Sequence, residues 1–145
     1  LEDLYVRPGV SKVDASAEIV VAVRFRALHG KRGSAFARLA KRRSLSLPIL
    51  NAAAVAFLSK DGALFEDLRL ALGPVALTPF RARKAEEALR GKPVDGEAVV
   101  EALAIASEEA QPRTNPLRGS AEYRREMVKV LLGRALERAV AAAKA

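Results

Sequence analysis

The inventory of side chains able to do covalent or acid–base chemistry is short. Cysteine is absent, which removes disulfides, thiolate zinc sites, iron–sulfur ligation and thiolate nucleophiles. The single histidine, His29, stands in a basic, glycine-flanked stretch, His29-Gly30-Lys31-Arg32-Gly33. A hydrolytic triad or an imidazole-based metal site would have to use it alone, so His29 reads as a solvated loop residue. The paired carboxylates Glu86-Glu87 and Glu108-Glu109 fall in helical stretches. Sequence neighbours on a helix do not face each other and make poor acid–base pairs. Neither common glycine-rich phosphate loop occurs. Taken alone, the chain shows no enzyme.

What remains is cationic. The 25 lysines and arginines exceed the 17 acidic residues, giving a net charge of +8. Such a balance raises a nucleic-acid or other anionic partner as one reading. The basic residues are nevertheless spread along the chain, with one dense cluster at Lys41-Arg42-Arg43 and only Phe36 near it for base stacking. A well-solvated surface rich in Ala, Leu, Arg and Glu is the alternative.

The elements that must position these groups divide into two halves. Ala17–Arg26 is rich in β-branched residues and reads as a strand. A turn at Gly30 and Gly33 follows, then a short strand over Ser34–Leu39. Asn51–Ser59 and Ala63–Gly73 flank Lys60-Asp61-Gly62, a strong hairpin signal, although the alternation of the second segment is imperfect. Thr78-Pro79 predicts a helix start, and Gly91 its end. Asp95 is expected to cap a second helix with Val99, Val100, Leu103, Ala104 and Ala110 as its apolar face. Gln111–Arg118, with two prolines, reads as a connector. Ser120 is expected to cap a last helix running to about Ala142, with Met127, Val130, Leu131, Ala135, Leu136 and Val140 buried.

Strands followed by helices predict an α+β fold: an antiparallel sheet of three to four strands, with three helices packed on one face. At 145 residues there is room for one such domain. Residues 1–16, with Pro8 and Gly9, read as a linker and residues 17–145 as the domain. The chain opens at Leu1 rather than a methionine, so a trimmed N-terminus is expected. No stretch approaches the ~20 apolar residues of a membrane helix, and the lack of cysteine suits a reducing cytoplasm.

Three patterns carry a family resemblance. Gly33-Ser34-Ala35-Phe36-Ala37-Arg38, followed by Arg42-Arg43, resembles the opening of the C-terminal domain of molybdenum hydroxylase flavin subunits, the xanthine and carbon monoxide dehydrogenase family. Arg69–Ala85 resembles that family's strand-to-helix junction, and Ala88-Leu89-Arg90-Gly91 its helix end. Arg118-Gly119-Ser120-Ala121-Glu122-Tyr123-Arg124-Arg125 is similar to its Arg-Gly-Ser-x-x-Tyr-Arg signature. Departures are Arg38 for the usual lysine, Ser44–Pro48 where acidic residues are common, and Pro116 for an aspartate.

The resemblance implies a catalytically incomplete part of an oxidoreductase. FAD would be held mostly by a preceding domain, with molybdopterin in a large partner subunit and 2Fe–2S clusters in a small one. It implies neither nucleic acid nor a membrane span. Arg38, Arg42, Arg43 and Leu47 are the implied flavin-facing residues, with charge to stabilise a reduced ring and an apolar side chain to pack on it. A nucleic-acid module and a non-catalytic scaffold stay open as alternatives. In the signature, Ser120 and Gly119 have structural readings, Tyr123 is expected to anchor its helix to the sheet through a bonded hydroxyl, and Arg118 and Arg124 either hold connector carbonyls or bind a partner. Arg81 and Arg83 are expected to be solvated or at a subunit interface.

Overall fold

The computed structural model describes residues 4–7 and 9–145. The expected linker therefore lies partly outside the described residues, at 1–3 and Pro8. Its remainder contains a small antiparallel pair, β1 (Tyr5–Arg7) and β2 (Val10–Ser11).

The main sheet has four antiparallel strands in sequential order: β3 (Arg32–Ala40), β4 (Pro48–Leu58), β5 (Phe65–Gly73) and β6 (Phe80–Arg81). Three helices follow, α1 (Arg83–Leu89), α2 (Glu97–Glu109) and α3 (Ala121–Lys144). Alternation sets the faces. Leu50, Ala52, Ala54, Ala56 and Leu58 of β4 are buried, as are Leu68, Leu70 and Leu72 of β5, whereas Asn51, Ala53, Val55 and Phe57 on the other face are only partly covered. The buried face packs against the helices: α3 lies on β3 and β4, and α1 on β5. Each leucine so buried contributes about 1.5–3 kcal/mol. The expected α+β architecture is the one observed.

The imperfect alternation of the hairpin's second arm has a physical cause. Phe57 pairs with Asp67 but Leu58 pairs with Phe65, so Glu66 is the extra residue of a β-bulge. The bulge turns Phe65 inward beside Leu68 and leaves Glu66 exposed. The turn itself is as the sequence indicates. Gly62 has φ 75°, and the Asp61 carboxylate accepts from Ser59 Oγ and the Ala63 N–H.

Several local expectations differ from the structure. Ala17–Arg26 forms no strand; Glu18–His29 has no regular secondary structure, and Ile19, Val21 and Phe25 are each over 80% exposed. The outer edge of β3 is paired with no described strand, so strand-forming residues alone did not bring this segment into the sheet. Gly33 is not in a turn but within β3, where a Cβ would stand 2.1 Å from the Ala139 carbonyl oxygen of α3. The helix start at Thr78-Pro79 is displaced because Phe80 pairs with Leu72, extending the sheet by two residues. α1 then begins at Arg83 with no cap of its own; the Glu109 carboxylate accepts from the Lys84 and Ala85 N–H groups instead. Asp95 caps nothing, since Gly96 (φ 86°) holds the N-cap of α2. The α2 face is rotated from the expected one: Ala102, Ala106 and Ser107 are buried while Val100 is exposed. On α3 the Ser120 cap holds, accepting from the Tyr123 N–H. Its buried stripe includes Val128, Leu132, Ala139 and Ala143, while Val130 faces outward.

Glu86 ties three elements together. Its carboxylate is 4% exposed, accepts from the Leu70 N–H of β5 at 2.8 Å, and forms an ion pair with Arg81 of β6. Arg81 is therefore a strand residue in a paired, half-buried setting, not a solvated helix residue. Ser107 Oγ donates to the Arg125 carbonyl and fastens α2 to α3.

Candidate functional site

The four residues expected to face a flavin lie at one end of the main sheet, on β3 and the loop 41–47 that joins it to β4. Arg38 projects from the exposed face of β3, and its Nη2 donates to the Ser46 carbonyl. Arg42 donates from Nε at 3.1 Å and Nη2 at 2.5 Å to the Leu45 carbonyl. Leu45 has φ 47°, a left-handed conformation that costs a non-glycine residue about 1–3 kcal/mol. The fork from Arg42 to its carbonyl holds that residue in place. Arg43 is exposed and forms no hydrogen bond or ion pair with any described residue.

The braced loop presents its apolar side chains outward. Leu45 is 91% exposed and Leu47 is 68% exposed. Two leucines held against water in a loop shaped by charged hydrogen bonds are costly unless something covers them. Arg38 and Arg42 thus shape the loop through its carbonyls, Leu47 forms part of its surface, and Arg43 adds charge.

Beside the loop is a cleft of about 480 Å3 between the start of β4 and the segment after β5, with Pro48, Asn51, Pro74, Leu77 and Pro79 in its lining. Tyr5 of β1 and Arg118 of the connector line it as well. Asn51 is the single polar residue of β4, and its Oδ1 is buried with no hydrogen-bond partner among the described residues. A buried amide oxygen left unpaired costs about 1–3 kcal/mol, so the cleft lacks a donor. Asn51 is absent from the residues singled out in the sequence. The signal was available: an asparagine, poorly suited to strands, interrupts an otherwise apolar run.

The Arg118–Arg125 segment is built as a turn and a helix start. Asn115 bridges to Gly119, which has φ 95°, and Ser120 caps α3. Arg124 is the buried member, donating to the Arg113 carbonyl at 2.8 Å and to the Pro74 carbonyl, so it holds the connector against the end of β5. Tyr123 departs from expectation. It is 46% exposed, close to Gly119, with no hydrogen bond from its hydroxyl among the described residues. His29 is exposed in its loop.

Comparison with known proteins decides the family. Residues 35–139 match the CO dehydrogenase flavoprotein C-terminal domain. The chain belongs to that family. It is similar to the carbon monoxide dehydrogenase medium chain of Afipia carboxidovorans, with 40% identity over 93 residues, 64% of this chain and 32% of that protein. A xanthine dehydrogenase FAD-binding subunit of Escherichia coli is 30% identical over 111 residues, covering 77% of this chain and 37% of the relative. Among solved structures, carbon monoxide dehydrogenase from Hydrogenophaga pseudoflava superposes with a TM-score of 0.72 at 35% identity, covering 80% of this chain and 39% of that one. The family domain is thus about a third of the length of the relatives it matches. Its matched residues take in the loop 41–47, Asn51 and the signature segment. Among the described residues, no helix is long and apolar enough to cross a membrane.

Proposed function

We propose that this chain is the C-terminal domain of the FAD-carrying subunit of a molybdenum-hydroxylase-type oxidoreductase. Residues 17–145 form that domain and residues 1–16 the link from a preceding flavin-binding domain. The observation that carries the reading is the arginine-braced loop that holds Leu47 outward beside a cleft in which Asn51 Oδ1 has no partner among the described residues. A flat, largely apolar ring with an N–H edge is complementary to that surface, and an isoalloxazine has that chemistry. The relatives, a carbon monoxide dehydrogenase medium chain and a xanthine dehydrogenase FAD-binding subunit, support the same direction.

FAD would supply the redox chemistry when bound, with 2Fe–2S clusters in a small partner subunit and molybdopterin in a large one. The chain's own part is preorganisation. Arg42 and Arg43 bring positive charge to the place where a reduced ring gathers negative charge. Leu47 covers a ring face and keeps water from it. Arg38 fixes the Ser46 carbonyl and so the loop's outline. Asn51 Oδ1 would be the acceptor for a ring N–H. The chain docks its partner subunits and, in this reading, completes no reaction by itself.

The test is an absorbance titration with FAD, using this chain alone and joined to its flavin-binding domain. FAD should be retained only by the joined protein, and Leu47→Asp should weaken retention at least 5-fold without changing the melting temperature. Tight stoichiometric binding to the chain alone would place the flavin site wrongly. Equal retention with and without residues 17–145 would remove the covering role.

A further inference from the structure

Next to the Asn51 cleft, and sharing Pro74, Ala76 and Arg118 with it, is a second cleft of about 310 Å3 between the end of β5, the connector and the first turns of α3. Three arginines line it: Arg113, Arg118 and Arg124. No carboxylate does, the other polar side chains being Gln111, Thr114 and Asn115. Among the described residues, none of the three arginines forms an ion pair. Three like charges around one concavity repel one another, and that repulsion is least screened at Arg124, the buried one of the three.

Arg124 makes the imbalance acute. It is 3% exposed, its two terminal nitrogens donate to backbone carbonyls, and among the described residues its buried Nε has no partner. Burial first, and the nearby Arg118 charge second, lower its pKa, which restates that its cation lacks a counter-charge. A role confined to holding carbonyls explains Arg124 but not why Arg113 and Arg118 border the same cleft with no acid beside them. A buried cation is ordinarily paired. Donors besides the guanidinium groups are also ready. Thr114 Oγ1 accepts from the Ala121 N–H, which leaves its own hydrogen free to donate. Asn115 Oδ1 accepts from the Leu117 and Arg118 N–H groups, which fixes the turn that carries Arg118 and leaves the Asn115 amide hydrogens free.

We infer that this cleft is a binding site for a phosphate group, held by Arg113, Arg118 and Thr114 above the buried charge of Arg124. Phosphate suits it better than carboxylate. A single carboxylate neutralises one of three charges, whereas a phosphate or diphosphate brings two or more and enough acceptor oxygens for guanidinium forks and a hydroxyl. Free phosphate and the diphosphate of a nucleotide share this chemistry. The inference does not rest on the flavin reading, since it uses neither the loop 41–47 nor Asn51.

The test is calorimetric titration of the whole chain with inorganic diphosphate, orthophosphate and ADP at fixed ionic strength, with an acidic peptide as comparison. One equivalent of diphosphate should bind. Arg118→Gln should weaken it at least 10-fold, Arg113→Gln should weaken it less, and Arg138→Gln on the exposed face of α3 should leave it unchanged. Arg124→Gln is not relied on, because it loosens the connector; thermal melts check that the other variants stay folded. Amide chemical shifts should move at Thr114 and Arg118. Equal affinity for diphosphate and ADP supports a site for the phosphate group alone, and tighter ADP supports a nucleotide source. Absence of binding at millimolar concentration overturns the proposal. So does an equal loss in Arg138→Gln, which would mean diffuse attraction to a basic surface, or a preference for the acidic peptide, which would mean a protein partner.

Discussion

Glu86 shows how much one side chain can carry in a chain with few polar groups in its core. Its carboxylate serves the Leu70 N–H and Arg81 at once, so its removal leaves a buried donor without its acceptor and breaks a buried ion pair. Glu86→Ala should cost about 3–5 kcal/mol in chemical denaturation, and Glu86→Gln about half of that, because an amide oxygen can still accept from Leu70. Gly33 is the second such position. A methyl group there would meet the backbone of α3 at Ala139 and Ala143, which cannot swing aside as a side chain would. Gly33→Ala should lower stability by about 3 kcal/mol, measurable as a lower urea midpoint with an unchanged slope. Asp67 carries a pH-dependent share. A hydrogen bond from Arg69 is the largest influence holding its carboxyl below the usual range, with Leu68 N–H and Arg90 adding to it against burial. Its pKa is lower folded than unfolded, so its contribution is full above the ordinary carboxylate range and fades as pH falls through the folded value. The urea midpoints of the wild type and Asp67→Asn should differ at pH 7 and converge in acid. At this scale the sequence was partly legible. Ser120 and Gly62 declare themselves through local chemistry, whereas Glu86 and Arg124 owe their roles to neighbours 16 and 50 residues away.

Among the elements, the legible ones were those whose signals are local and unopposed. The β4–β5 hairpin and α3 follow from an Asp-Gly turn, a serine cap and a long apolar stripe. Where a local signal met a tertiary demand, the demand prevailed. Thr78-Pro79 could start a helix, but the open edge of β5 captured Phe80 and Arg81 first. The capping of α1 is the clearest case. Its free N–H groups are met by Glu109, the last residue of α2, whose negative charge also favours the positive end of the α1 dipole. Glu109→Gln should therefore destabilise α1 rather than the helix that bears it. Amide exchange should quicken at Lys84 and Ala85 with α2 little changed. Faster exchange confined to α2 would contradict this account. The candidate site splits the same way. Arginines on a loop announce themselves in sequence, but the orphaned Asn51 oxygen needs the cleft around it to be seen.

Over the whole molecule, one helical layer covers one face of the main sheet, and Glu18–His29 contributes no residue to that core. Glu18–His29 carries strand-forming residues yet joins no described sheet, because β propensity alone does not secure a pairing partner. Limited trypsin treatment should cut after Arg24 or Arg26 before any site in α3, leaving a fragment that keeps the melting behaviour of the intact chain. Joining the flavin-binding domain should slow that cut if the segment packs against it. β3 forms one edge of the sheet, and no described strand pairs with its outer side. The molecule thus displays an unclaimed strand border and, a few residues earlier in the same polypeptide, an unclaimed strand-like ribbon. Two copies can each lend the ribbon to the other's border, so purification of the isolated chain becomes a race between storage time and concentration. Oligomers should grow with the square of protein concentration early on, and a few charged substitutions at Ile19 and Val21 should keep the preparation monodisperse.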